Sequence, residues 1–374
     1  MKSESQIHSF TYSRKILFVI PTLGSGGSER VLINLLRNLD SRKFDLNLAV
    51  VVQGGLFRSM VPKAVKVYDL NLKRVRYAAI PLMRIIKKLN PDVILSFMGH
   101  LNFLMSVLKS LIPNHIRLII RENTMVKENV AASGPWWFSP MYRLLYNRAD
   151  LIICQSDVMK KGLIDNYGIN QDRTKTVYNL VDIENIDSNI VDAPNPYPVD
   201  VTFRNILAIG RLSREKRFDL LIRKFARFQK IRPDTQLWIL GEGSLLSDLQ
   251  RLTYNLGVSD FVNFMGFQAN PYIWMRHADL FVVCSAYEGL PNVLLEALAC
   301  GCPVVATDCP GGTREIMELT NNVDRLVPVN EFDLKEEFFE TMSFLETRTR
   351  LKKHFGPTTI IKQYESILNG STCA

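Results

Sequence analysis

"LFVVCSAYEGLPNVLLEALACGCPVVAT", residues 280–307, reads as strand, turn, helix and strand in succession. "LFVVCS" and "PVVAT" are short, almost continuously apolar runs, the pattern of strands buried on both faces. Between them Pro291 suits the first turn of a helix, where its missing N–H costs nothing. "NVLLEALACG" then continues at helical spacing. Strands of this kind joined by crossover helices belong to a mostly parallel sheet.

The same alternation extends in both directions. Upstream lie "NILAIG", helix "FDLLIRKFARFQK", "QLWIL", helix "LLSDLQRLTYNL", "FVNFMG" and helix "NPYIWMRHA"; downstream lie helix "GTREIMEL" and "DRLVPV". The first half repeats the plan, with "KILFVI", helix "SERVLINLLRNL", "LNLAVVV", "DVILSFM", helix "LNFLMSVLKSLI", "RLIIR" and "DLIICQS". "NIDSNIVDAPNPYPVD" (185–200) interrupts it with three prolines and little periodicity. The expected architecture is α/β with two doubly wound domains, 1–184 and 201–355, a linker at 185–200, and a helical tail at 356–374. No sequence repeat relates the halves. Ligands of such sheets bind at the carboxyl ends of the strands, here expected in a cleft facing both domains.

Bulk properties agree. A chain of 374 residues that is 47% apolar can bury two cores. Its polar start, "MKSESQIHSFTYSRK", runs directly into "ILFVIP", too short for a secretion signal, so a cytoplasmic protein is expected. No apolar run approaches the roughly 18–20 residues that span a bilayer. The net charge of +9 resides in the first half: residues 1–200 hold 26 Lys and Arg against 17 Asp and Glu, and residues 201–374 hold 20 of each. Within 63–88, Lys63, Lys66, Lys73, Arg74, Arg76, Arg84, Lys87 and Lys88 accompany only Asp69. That stretch reads either as a solvated face or as a patch for anionic lipid headgroups or a phosphorylated acceptor. Nucleic acid fits poorly, because the basic residues lack interleaved aromatics. Six cysteines without a C-x-x-C pair, five scattered histidines and no D-x-D give no dedicated metal site. Cys300, Cys302 and Cys309 read as thiols filling space rather than as ligands, and no cofactor is expected.

Three strand–glycine–helix junctions carry candidate chemistry. "PTLGSGGSERVLINLL" places Gly24, Gly26 and Gly27 before a helix N-terminus, suited to close backbone approach and to an anion. A dinucleotide fingerprint would need a third glycine where Glu29 stands, and an acid where Gln53 stands. "LAIGRLSREKRFDLLI" sets Arg211 and Lys216 after a strand, a plausible diphosphate clamp. "WILGEGSLLSDL" brings Gly241 and Gly243 to a third junction. In the opening segment, the amides of Gly289 to Asn292 favour phosphate, whereas Glu288 and Glu296 offer carboxylate oxygens suited to a sugar and to a ribose diol. The alternative for each is an ordinary turn, an exposed loop charge or a surface acid.

Taken together, Glu288 and Glu296 as E-x7-E within "EGLPNVLLEALACGCPVVATD", with "GRLSREKRFDLLI", "GEG", "VNFMGF", the glycine-rich first loop and "QYESIL", make the chain resemble the retaining, family-four glycosyltransferases. That resemblance implies the GT-B fold, with Rossmann-like domains for the acceptor (1–184) and the nucleotide sugar (201–355), and a final helix (356–374) crossing back to the first. It implies Arg211 and Lys216 on the diphosphate, Glu296 on the ribose, Glu288 with Leu290, Pro291 and Asn292 on the sugar and phosphate, and Gly26 and Gly27 near the reacting sugar. Gly243 and Gly289 complete the donor set. A histidine that many relatives carry at the end of a middle strand is absent. "RENT" puts Glu122 and Asn123 there, and His100 lies one strand earlier. The acceptor is expected to be a lipid-linked oligosaccharide or surface polysaccharide, approached by the basic stretch and "SGPWWFSPMYRLLY" (133–146), with peripheral attachment to an anionic membrane surface. "RENT" and "TDCPGGTREI" resemble the bacterial polysaccharide-assembly branch. The competing readings are a dinucleotide-dependent oxidoreductase or epimerase, an inverting transferase of the same fold, and a binding protein that never consumes the nucleotide sugar.

Overall fold

The computed structural model describes residues 13–24, 26–128, 138–198 and 203–370. It contains two parallel sheets. The first has seven strands, β1 (Arg14–Ile20), β2 (Phe44–Val50), β3 (Lys66–Asp69), β4 (Val93–Phe97), β5 (Arg117–Arg121), β6 (Leu151–Cys154) and β7 (Thr174–Thr176), in the order β3-β2-β1-β4-β5-β6-β7. The second has six, β8 (Arg204–Ile209), β9 (Thr235–Leu240), β10 (Val262–Gly266), β11 (Leu280–Val283), β12 (Val304–Asp308) and β13 (Leu326–Pro328), in the order β10-β9-β8-β11-β12-β13. Both are doubly wound, and the strand order reverses between β1 and β4 and between β8 and β11.

The apolar strand runs have their physical reason in the second sheet. Leu207, Trp238, Leu240, Phe281, Val283, Val304 and Ala306 pack in one buried cluster, while their chain neighbours Ile206, Ala208, Leu237, Ile239, Leu280, Val282 and Val305 pack in another. Successive side chains point to opposite faces, so a strand covered on both sides must be apolar throughout. The helix Asn292–Cys300 lies in the first cluster through Leu294, Leu295, Ala297, Leu298, Ala299 and Cys300. It ends at Gly301, whose φ of 78° supplies the left-handed cap.

By packing, the described residues up to Glu122, with Leu144–Ile152 and the chain from Gln363 on, form one compact unit; Asn123–Arg143 and Ile153–Lys362 form another. The stretch expected as a linker instead begins in a helix, Ile183–Ile190, started by the Asp182 carboxylate accepting from the Asn185 amide at 3.0 Å. Ile183, Ile186 and Tyr197 join the core of the second sheet, and the Tyr197 hydroxyl donates to the Trp274 carbonyl at 2.9 Å. Prolines there punctuate a packed segment rather than a free one.

In the first unit, the end of the helix Pro357–Leu368 is fastened by cations. Arg121, fully buried, donates to the Tyr364 hydroxyl at 2.9 Å; Arg117 and Arg14 donate to the carbonyls of Ile367 and Leu368 at 2.7 and 2.6 Å. Positive groups at a helix carboxyl end satisfy orphan carbonyls and oppose the helix dipole. No helix among the described residues is long and apolar enough to cross a membrane.

Candidate active site

β8 and β11 are hydrogen-bonded neighbours at the point where the second sheet reverses its order, so the loops leaving their carboxyl ends adjoin. The loop after β8 carries Arg211 and Lys216; the loop after β11 carries Glu288. They meet there: Lys216 Nζ lies 2.6 Å from Glu288 Oε1, which also accepts from the Ser285 hydroxyl at 2.6 Å. The Ala286 amide donates to the Glu215 carbonyl at 2.7 Å, binding the loops backbone to backbone. Beneath them the Cys284 thiol donates to the Lys216 carbonyl at 3.2 Å. Burial pushes that thiol up to about 12, so it is a space-filling donor and not a nucleophile. Arg211 stands exposed on the same loop and forms no ion pair among the described residues.

A third strand end completes this edge. The Leu212 amide donates to the Glu242 carbonyl at 2.9 Å, and a Cβ on Gly243 would fall 2.3 Å from the Leu212 carbonyl oxygen. Glycine at 243 is therefore required by contact between two loops. On the other side, Glu288 pairs with Gly311 after β12, and the Gly312 amide donates to the Gly289 carbonyl at 2.9 Å. The Gly-Leu-Pro-Asn turn is thus held between its neighbours as it leads into the helix Asn292–Cys300. Glu296 is the fifth residue of that helix and only 7% exposed.

Gly26 caps the helix Gly27–Asn38 in the first unit, where the Glu29 carboxylate sits over the loop: a Cβ on Gly26 would be 2.5 Å from Glu29 Oε2. His100 is exposed in the first turn of the helix Gly99–Leu108. Glu122 is fully buried, accepting the Tyr146 hydroxyl at 2.5 Å. Asn123 belongs to the second unit, and its Oδ1 accepts from Gln155 Nε2 at 2.8 Å. Residues 133–137 of the aromatic segment, with the side chain of Phe138, lie outside the described residues. Cys300, Cys302 and Cys309 are buried free thiols, and no group of three or more metal-ligating side chains occurs among the described residues.

Reading the sequence alone missed Ser285, Glu215, Gln155, Asn179 and Glu315. Glu315, from the helix Thr313–Leu319, accepts the amides of Asp157 and Val158 at 2.9 Å each, and burial raises its carboxyl above the usual range. The contacts of Glu215, Gln155, Asn179 and Glu315 join segments distant in sequence, and no local pattern announces them; that of Ser285 lies within its own loop, three residues from Glu288. The arrangement sets Lys216, on one loop with Arg211, against the Glu288 carboxylate; cations of these kinds can pair with phosphate, and carboxylate oxygens accept hydroxyl hydrogens.

Residues 192–356 match the family model described as "Glycosyl transferases group 1", and residues 25–185 match "Glycosyltransferase Family 4". The chain is 30% identical over 358 residues, covering 91% of it and 93% of the relative, to N-acetylgalactosamine-N,N'-diacetylbacillosaminyl-diphospho-undecaprenol 4-alpha-N-acetylgalactosaminyltransferase of Campylobacter jejuni. It is 26% identical over 291 residues, 76% of this chain and 77% of the relative, to the lipopolysaccharide core biosynthesis glycosyltransferase LpsE of Rhizobium meliloti. Among solved structures it is similar to HepE of Anabaena in complex with UDP and glucose, with a TM-score of 0.77 and 22% identity over 96% of this chain and 100% of that one. This last likeness is one of fold.

Proposed function

The chain belongs to the glycosyltransferases of group 1 and family 4, which have the GT-B fold, and on that premise we propose that it moves a hexose or N-acetylhexosamine from a UDP-sugar to a lipid-linked oligosaccharide or surface-polysaccharide acceptor, retaining the anomeric configuration. One observation carries the donor half of this reading: the Lys216–Glu288 contact of 2.6 Å beside the exposed Arg211, at the reversal point of the second sheet.

In such a transfer the bond between the sugar and the diphosphate breaks, and negative charge gathers on the departing group. Preorganised cations at that position lower the barrier most. Arg211 engages the diphosphate through its planar fork and Lys216 as a point charge, so the protein supplies the compensation in a chain without D-x-D. Glu288, held by Lys216 and Ser285, presents its second oxygen to sugar hydroxyls; Glu296 accepts from the ribose diol. The leaving phosphate takes the acceptor proton while the acceptor attacks from the same face. On the acceptor side, Asn123 is the better candidate of the "RENT" pair, because Glu122 is engaged in the interior with Tyr146.

Two relatives support the acceptor class by their own names, one acting on a diphospho-undecaprenol-linked sugar and one in lipopolysaccharide core biosynthesis. Membrane attachment draws support from the exposed cations of 63–88, among which Tyr77 and Ile80 are 56% and 66% exposed. A dinucleotide at the first glycine loop is disfavoured by the Glu29 carboxylate over Gly26, which would repel a pyrophosphate.

The test is to supply a panel of nucleotide sugars with a lipid-linked acceptor, follow release of the nucleoside diphosphate, and assign the product anomer by NMR. An α-linked product from an α-linked UDP donor is expected. A β-linked product overturns retention, and binding without turnover across the panel favours a non-catalytic binder.

A further inference from the structure

Four side-chain amides in the second unit form a continuous hydrogen-bonded chain. Asn123 follows β5, Gln155 follows β6, and Asn179 follows β7, so three adjacent strands of the first sheet each place one amide at their carboxyl ends. Gln155 Nε2 donates to Asn123 Oδ1 at 2.8 Å. Asn179 Nδ2 faces three oxygens: Gln155 Oε1 at 3.2 Å, the Leu290 carbonyl at 3.3 Å and Asn292 Oδ1 at 2.6 Å. The last two belong to the Gly-Leu-Pro-Asn turn. That turn also touches Asn123 directly, since a Cβ on Gly289 would lie 2.5 Å from the Asn123 carbonyl oxygen.

Asn179 is 1% exposed and Gln155 4%. An amide nitrogen carries two hydrogens, here shared among three oxygens, so its rotation about χ2 by half a turn would set its own oxygen against all three. The hub has one acceptable orientation, and it fixes which end of the Asn292 amide points back to Asn179. Buried polar networks that are satisfied in one way only are rigid.

We infer that Asn179 is a positioning residue which, through Asn292 and Leu290, sets the turn that receives the transferred sugar and holds it in register with Asn123. The inference rests on the donor site proposed above. It distinguishes parts of the donor: the turn meets the sugar and its adjoining phosphate, whereas the ribose and base lie with other residues. Loss of Asn179 therefore weakens recognition of the sugar most and that of UDP less, since UDP keeps only the adjoining phosphate of that contact.

The experiment is calorimetric titration of full-length wild type, Asn179→Ala, Asn292→Ala and the double variant with UDP and with the UDP-sugar the wild type binds best, each preparation first checked by thermal melting. Removing a buried donor facing three acceptors is expected to weaken UDP-sugar binding about tenfold, with a smaller loss of about threefold or less for UDP. The double variant is expected to lose less than the two single losses added together, since Asn179 acts in large part through Asn292. Equal loss for UDP and UDP-sugar, no loss for either, or additive losses in the double variant overturns the inference. Should Asn179→Ala not fold, Asn292→Ala on the half-buried side of the same bond decides the question: unchanged discrimination between UDP and UDP-sugar overturns it. Failure of the wild type to bind UDP or any UDP-sugar is a different result, because it removes the donor site itself.

Discussion

Lys216→Met separates the two things that Lys216 does. At 2.6 Å from Glu288 Oε1, with the side chains 21% and 11% exposed, the gross attraction at an effective dielectric of about 20 is about 6 kcal/mol. Desolvation offsets most of it. Ser285 still donates to the same oxygen, so the net stability loss is about 1–3 kcal/mol. A domain of this size then melts about 2–4 °C lower per kcal/mol. From a starting stability of about 5–15 kcal/mol, the variant remains almost entirely folded. Removing a charge that stabilises the leaving diphosphate costs about 10²–10³ in rate, far beyond what the unfolded fraction explains. Steady-state turnover of UDP-sugar, measured beside a melting curve, reads both quantities. Turnover within about threefold of wild type in a folded Lys216→Met protein would refute the assignment of Lys216 to the departing group.

Further outcomes follow from other contacts. Gly311 has φ of +126°, and a Cβ there would lie 1.7 Å from the Glu288 carbonyl oxygen; Gly311→Ala is expected to lower the melting temperature by more than Lys216→Met, and equal melting would show that the bridge to Glu288 yields easily. Burial raises Cys284 to about 12 and Cys309 to about 11, above the ordinary 9.0. Their stabilising contribution is therefore complete below about pH 9 and is lost as pH rises through 11–12. Melting temperature should fall on alkalinisation over that window, and peptide mapping after thiol labelling at pH 8 should find both residues unmodified in the native protein; rapid native labelling contradicts their burial. Flotation with anionic vesicles at low salt should exceed that at 0.5 M salt, and Tyr77→Ser with Ile80→Ser should reduce it further; flotation indifferent to both salt and lipid charge removes the electrostatic attachment.

Much of this molecule was legible because strands of parallel sheets carry nearly continuous apolar runs, and eleven such runs mark all the described strands but β3 and β7, the edge strands β10 and β13 included. The two strands that escaped have physical reasons. β3, with the sequence KVYD, is an edge strand with both ends exposed, and β7 is three residues of TKT. The helix Ile183–Ile190 was hidden by the neighbouring prolines, although Asp182 was its cap. At the site, Lys216 and Glu288 were readable because each follows a strand of its own, and parallel winding brings successive strand ends to one edge. What could not be read was their partnering. Glu315 on two amides and the Asn123–Gln155–Asn179–Asn292 chain depend on which strand ends become neighbours, a property of the sheet order and not of any local pattern. Gly243 was read as a junction free of side chains and Gly289 as part of a turn whose amides favour phosphate, yet the structure shows that backbone contact already demands glycine at both.

The most direct measurement is a crystal structure of the protein soaked with a UDP-sugar. Density is expected for the diphosphate against Arg211 and Lys216, for the ribose at Glu296, and for the sugar against Glu288 and the 289–292 turn. Nucleotide density elsewhere, with these residues unengaged at saturating ligand, would contradict it.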